Sequence, residues 1–278
     1  YTPKKSNFIK SEIFNTFETT RKPANLSVYG PHTVKDVAKK SFTPVKAVDE
    51  KEIEFATKCV SLIIDEFKPI SMKQVICGTD VLAGMNKKSS NGFNCPTSKL
   101  DCLDYENGEL IGSFKSSYEQ FLLNLETGEI DLSDVVSVGT LKDEIRGVEK
   151  EAPRSFRVSR LHFQILMKKL FGGMVENIIK DRWFNQIAVG INPFKEWRRM
   201  YDTISNKKLW AGDIKSWDGS MLPQAQSAVI DLLVSKMQGS SLEKDLASKI
   251  LGFSIYCPVV INNITLMTTH SMPSGIFL

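Results

Sequence analysis

The chain lacks the cysteine and histidine patterns of a zinc or redox protein. Its five cysteines, Cys59, Cys77, Cys95, Cys102 and Cys257, are odd in number, and no two stand at C-x-x-C spacing. The three histidines, His32, His162 and His270, lie far from one another and from the cysteines. Free thiols in a reducing compartment are the plain expectation. No run approaches the eighteen or so apolar residues of a membrane span, so direct membrane insertion is not expected. A large excess of one charge sign is missing too: 36 Lys and Arg against 32 Asp and Glu leave a net charge of +4, compatible with a phosphate partner without indicating one. There is no internal repeat and no low-complexity tract. Tyr1-Thr2-Pro3-Lys4-Lys5 has neither an initiator Met nor an apolar signal core, and Gly275-Ile276-Phe277-Leu278 ends in apolar sequence. Both ends read as cuts, or as processing from a longer chain.

What is present is an ordinary globular composition, 42% hydrophobic and 24% charged in 278 residues, enough to bury a core. Residues 1–48, with turns at Tyr29-Gly30-Pro31 and Thr43-Pro44, read as a loop-rich arm. Ile53, Ala56, Val60, Ile63, Ile64 and Phe67 recur at helical spacing between Asp49 and Phe67, and Pro69 is expected to stop that helix. A Gly, Asn, Ser and Lys-rich loop over 84–100 precedes an Asn107-Gly108 turn. Helical spacing returns over 114–125, and Val135–Val138 reads as a short strand. Leu161–Lys180 reads as a helix that Gly172-Gly173 could break or kink. Lys208–Asp213 reads as a short apolar strand. Pro223–Met237 reads as a helix with Ala225, Val229, Leu232, Leu233 and Met237 on its buried side. Val259–Met267 reads as a hairpin turning on Asn262-Asn263, and Thr268–Gly275 as a loop. That order implies an α+β fold.

Three segments carry chemistry. Asp213 would sit at the tip of a strand, and Asp218 follows five residues later past a turn. Such carboxylates suit Mg²⁺ and the two-ion chemistry of phosphoryl transfer; a plain Asp218-Gly219 turn is an open alternative. In Ser271-Met272-Pro273-Ser274-Gly275, Gly275 permits unusual backbone geometry. The Ser274 hydroxyl can bind a ribose or phosphate, but a functionless Pro-Ser-Gly turn is the commoner case. Between Lys142 and Arg160 stand six basic residues in nineteen: Lys142, Arg146, Lys150, Arg154, Arg157 and Arg160. They could bind a triphosphate or an RNA backbone, or form a solvated charged face. Their lack of a helical period favours an extended ribbon.

In this order the segments resemble the polymerases of picorna-like positive-strand RNA viruses, the dicistroviruses and marine members above all. Lys142-Asp143-Glu144-Ile145-Arg146 resembles the Lys-Asp-Glu-Leu-Arg opening of that family's motif F. Asp213 and Asp218 fit its motif A, Pro273-Ser274-Gly275 its motif B, and Ser89-Ser90-Asn91-Gly92-Phe93 its motif G. Lys5–Ser11 resembles the arm that links fingers to thumb. The resemblance implies a right-hand polymerase fold, with the arm of the fingers over 1–48, the fingers over 49–207 and the start of the palm over 208–278. It implies RNA-directed RNA synthesis with Mg²⁺ or Mn²⁺, held by Asp213 as a catalytic residue.

The resemblance also assigns Asp218 to catalysis through the ribose 2′-hydroxyl of the NTP, with Ser274 and Gly275 in the same network. Lys142, Arg146, Lys150 and Arg157 would hold the triphosphate, and Ser89, Ser90 and Gly92 would guide the template. The implied partners are viral RNA template and primer, NTPs and other viral replication proteins. The implied place is the host cytoplasm, in complexes brought to membranes by those partners. Three departures stand out. His270-Ser271 replace the usual glycines of motif B. Ser155 stands where a basic residue is common, with Arg154 beside it as a possible substitute. No Gly-Asp-Asp of motif C occurs, so the resemblance implies a fragment inactive by itself. A reverse transcriptase palm and an RNA-binding module are the rival readings; Asp218, which rewards a 2′-hydroxyl, argues against the former.

Overall fold

The computed structural model describes residues 25–26, 35, 44–146, 154–185, 187–209, 211–214, 217–261, 263–270, 272 and 277. Most of the expected N-terminal arm, including Lys5–Ser11 and the turn at 29–31, lies outside the described residues. So do Lys150 and the Pro273-Ser274-Gly275 core of the motif B resemblance.

Strand β1 is Asn25–Leu26. Helix α1 spans Glu50–Ser61, and its N-cap Asp49 accepts a hydrogen bond from the Lys51 amide at 2.9 Å. It ends well before Pro69. The chain beyond it is drawn instead onto the far end of a later helix: the Phe67 amide donates to the Lys236 carbonyl at 3.1 Å, and the Gln238 amide to the Phe67 carbonyl at 2.7 Å. Phe67 is buried with its ring 6.2 Å from that of Phe171, so the chain has already left the helix for the core before Pro69 is reached. Helix α2, Met72–Cys77, opens with a reciprocal Ser71–Gln74 capping box. Strands β2 (Leu103–Asp104) and β3 (Glu109–Leu110) pair antiparallel around the Asn107-Gly108 turn, where Gly108 has φ +73°.

Helix α3 runs over Gly112–Thr127 and helix α4 over Leu132–Val135. Strand β4 spans Ser137–Leu141. The strand expected at 135–138 is thus divided, because Asp131 caps a helical turn through the Ser133 amide before pairing begins. Strands β5 (Ile145–Arg146) and β6 (Ser155–Ser159) are extended, as expected of the basic segment, but they pair separately, β5 antiparallel with β1 and β6 with β4, and residues 147–153 lie outside the described residues.

Helix α5, Leu161–Lys180, is the axis of the core. Leu161, Ile165, Met167 and Phe171 along it are fully buried. Gly172-Gly173 does not break it. A Cβ on Gly172 would meet Ile70 Cδ1 at 2.4 Å, and one on Gly173 the Lys68 carbonyl oxygen at 2.2 Å. The two glycines let the 68–70 segment lie against the helix.

Helices α6 (Arg182–Asn185), α7 (Pro193–Ile204) and α8 (Trp217–Ser220) follow. The strand expected at Lys208–Asp213 is not formed by the described residues there. Leu209 and Ile214 are exposed, and no described strand pairs with the segment to bury them. Helix α9, Pro223–Lys236, buries Leu232 and Leu233, with Met237 at its end, while Val229 faces outward. Helix α10, Ser241–Ile255, starts with a Ser240–Glu243 capping box. Strands β7 (Pro258–Ile261) and β8 (Ile264–Met267) form the expected hairpin, with Asn263 at φ +66° in its turn. The four-stranded sheet has the order β6-β4-β7-β8; β4 and β7 are parallel and the other pairs antiparallel.

Candidate active site and template loop

The sheet order brings distant segments of chain together. Gly139 on β4 pairs with Arg157 on β6, and β7 follows on the other side of β4, with Cys257 just before it. Burial pulls the Arg157 guanidinium below its ordinary pKa, while the Cys257 thiol it touches and the nearby Asp218 carboxylate act in the opposite sense. Arginine stays charged throughout the working range. Cys257 is buried, which pushes its thiol pKa up, and it shares a 3.3 Å hydrogen bond with Ser137 Oγ. Ser137 in turn meets Ser159 Oγ at 3.2 Å.

Asp218 lies on the single turn of α8 with its side chain exposed. Its Oδ1 accepts from the Gly219 amide at 3.1 Å, so the Asp-Gly turn is real. Its carbonyl accepts from the Met272 amide at 2.7 Å, fastening the loop after β8 to the turn that carries Asp218. The Arg157, Asp218 and Met272 segments therefore converge.

Asp213 is exposed in irregular chain, and among the described residues no hydrogen bond or ion pair joins it to this group. Lys142 is exposed, and its amide donates to the Arg154 carbonyl at 2.8 Å. Arg146 is described only through its backbone, in β5. Arg154, beside Ser155, grips Glu144 through two nitrogens at 2.6 to 3.0 Å, which raises its pKa. Lys150, Ser274 and Gly275 lie outside the described residues.

A second cluster surrounds Ser89, Ser90 and Gly92. Gly92 has φ +88°, and a Cβ there would strike the Ser159 carbonyl oxygen at 2.4 Å. The Gly92 amide donates to Ser90 Oγ at 3.1 Å, and the Leu161 amide to the Asn91 carbonyl at 2.9 Å. The loop is thereby seated where β6 becomes α5, next to the strand that carries Arg157. Asn91 and Lys99 are buried beneath it. Sequence reasoning named Asn91 within the loop without a role and missed Lys99, since nothing in a Ser-Lys-Leu-Asp string marks a lysine that points inward. It also missed Cys257, whose role depends on a parallel pairing far away in sequence.

Other perturbed groups are structural. Burial lowers His162 to a pKa of about 4 among the rings of Phe114, Tyr118 and Phe121, where Ser117 Oγ meets its Nε2 at 3.0 Å. Burial lowers Lys168 to about 8 while it donates to the carbonyls of Val75 and Ala83. His270, at a usual glycine position of the resemblance, is buried and approaches Thr269 Oγ1 at 3.4 Å through Nδ1. No three of His, Cys, Asp and Glu gather as a metal-ligand cluster among the described residues.

Comparison with known proteins identifies the family and the fold. The chain is 26% identical over 235 residues to the replicase polyprotein of Drosophila C virus, covering 74% of this chain and 13% of that polyprotein. With the replicase polyprotein of cricket paralysis virus it shares 35% identity over 112 residues, 38% of this chain and 6% of the polyprotein. The genome polyprotein of human rhinovirus 16 is 24% identical over 249 residues, 84% of this chain and 11% of the polyprotein. The chain thus spans a small part of the polyproteins it matches. The solved Sicinivirus 3Dpol RNA-dependent RNA polymerase superposes with a TM-score of 0.78 at 23% identity, over 99% of this chain and 60% of that one, and so shares its fold. The description "Viral RNA-dependent RNA polymerase" fits residues 24–278, and with the shared polymerase fold it establishes that the chain belongs to that family.

Proposed function

We propose that this chain forms the fingers and the start of the palm of an RNA-directed RNA polymerase that copies a positive-strand viral genome. The observation that carries the reading is the convergence of the Arg157, Asp218 and Met272 segments from three separate parts of the chain. Arg157 steadies the triphosphate of the incoming NTP, helped by Lys142, Arg146 and Lys150. Burial beside Cys257 strengthens its charge toward a phosphate, because less water screens it. The exposed Asp218 carboxylate receives the ribose 2′-hydroxyl, with Ser274 and Gly275 completing the network, and this selects NTP over dNTP. Ser89, Ser90 and Gly92 guide the template.

A divalent ion, Mg²⁺ or Mn²⁺, would neutralise charge on the reacting phosphate when bound. The chemistry of Asp213 fits it, since an exposed carboxylate supplies a hard oxygen and Mg²⁺ is content with one or two protein ligands plus phosphates and water. One carboxylate is a small share of a two-ion site, and these 278 residues hold no Gly-Asp-Asp. Polymerisation therefore needs more than this chain supplies, and primer extension is expected to be absent when it is assayed alone. Template, primer and other replication proteins are the partners of the reading. No helix among the described residues is long and apolar enough to cross a membrane. Replication at host membranes would then depend on those partners.

The test is Asp213→Asn in a polymerase that contains this chain. RNA synthesis should fall by about a hundred- to a thousandfold, comparable to losing a central electrostatic group, while RNA affinity measured by filter binding changes little. Loss of both would give Asp213 a folding role and remove it from the site.

A further inference from the structure

Beneath the template loop lies Lys99, on the single 3-10 turn Lys99–Asp101, only 1% exposed. Its ammonium donates to the Ser89 carbonyl at 3.3 Å, to the Ser90 carbonyl at 3.1 Å and to the Ser89 hydroxyl. Among the described residues no carboxylate stands within ion-pair distance of it; its hydrogen-bond acceptors there are the oxygens of the loop, so the charge is solvated by dipoles. Burial accordingly lowers its pKa. A buried ammonium without a counter-ion is a costly brace, since an apolar side chain of similar length would pack more stably. Ser89 and Ser90 are themselves exposed, so the cation stands directly behind a solvent-facing surface one loop thick.

We infer that Lys99 is a positioning residue for single-stranded RNA: it fixes the Ser89–Gly92 loop from inside and lends its uncompensated positive charge to phosphates that run over the loop's outer face. The inference rests on the reading of that loop as the template guide. Its second support is the seating of the loop against Ser159 and Leu161, which makes the loop and the Arg157 strand one body that a loosened anchor would uncouple.

Hydrogen exchange and fluorescein-labelled single-stranded RNA test this on the 278-residue chain. In Lys99→Met, exchange of the 89–92 amides should rise about tenfold with α5 unchanged, and RNA affinity should fall about fivefold at low salt. Unchanged loop exchange in a chain with α5 intact overturns the anchor. If α5 loosens as well, Ser89→Ala decides. It removes the hydroxyl that Lys99 grips and also that hydroxyl's 3.0 Å bond to the Asn86 carbonyl. A rise in exchange larger at 90–92 than at 86–88 therefore supports the anchor, and no rise, or one no larger there than at 86–88, overturns it. Faster loop exchange with unaltered RNA affinity overturns the electrostatic part. A separate arm tests the template reading: 4-thiouridine RNA should crosslink to wild-type chain within residues 86–95. Crosslinks confined to other regions would remove that reading whatever the exchange data show.

Discussion

At the scale of single residues, burial decides what a titratable side chain can do. His162 sits among three aromatic rings at 5% exposure, and desolvation, with Arg160 adding repulsion, holds its pKa near about 4. The unfolded chain returns it to its ordinary value, so between those two pKa values the unfolded state binds more protons. Stability is then complete above about pH 6.5 and declines as pH falls toward 4, by an amount on the order of 2–3 kcal/mol. Urea unfolding at pH 7 and pH 5 should show this decline, and His162→Phe should flatten this contribution to it. An unchanged pH slope in that variant would mean that other groups set the acid limit. Arg157 shows the same physics used differently: the guanidinium cannot shed its proton, so burial sharpens its charge.

At the scale of elements, close approach matters as much as propensity. Gly173 lies under the Lys68 carbonyl, where a methyl group would force α5 away from the 68–70 segment. Gly173→Ala should therefore destabilise the chain by about 1–3 kcal/mol despite the better helix propensity of alanine. Gly252 in α10 meets nothing within 4 Å, and there the same substitution should stabilise by about 0.5–1 kcal/mol. Opposite shifts in the thermal midpoint would check both, and a stabilising Gly173→Ala would deny the close packing. Sequence pattern was a good guide to elements whose cause is local. Leu161–Lys180 has the bounds expected from its apolar spacing, and the β7–β8 hairpin turns on its Asn pair. It failed where the cause is distant: the chain leaves α1 for the core, where Phe67 pairs beside Met237, before Pro69 is reached, and Lys208–Asp213 has no described strand to pair with. The Ser240–Glu243 and Ser71–Gln74 boxes were readable signals of helices that periodicity alone passed over.

At the scale of the whole molecule, the sheet β6-β4-β7-β8 joins through backbone pairing the segments for which three roles are proposed. The Ser89–Gly92 loop, proposed to guide the template, rests on the end of β6; Arg157, proposed to hold the triphosphate, lies on β6; and the β7–β8 hairpin leads into the loop fastened to Asp218. This convergence was legible only as an order of motifs, because the pairing of β4 with β7 crosses more than a hundred residues. The metal requirement is distributed differently. Asp213 is exposed and apart from Asp218's contacts, and no cluster of three ligands forms among the described residues. Mg²⁺ should therefore bind the 278-residue chain no tighter than about 1 mM, as a carboxylate with water in the remaining positions would. Ligand linkage then limits the stabilisation from a few millimolar Mg²⁺ to roughly 1 kcal/mol, a shift of a few degrees at most. The same titration on a polymerase that also carries a Gly-Asp-Asp segment should show a tighter component, lost in Asp213→Asn. A midpoint rise of about ten degrees in the 278-residue chain, abolished by Asp213→Asn, would mean that these residues already close around the ion, and the division of the metal site would have to be abandoned.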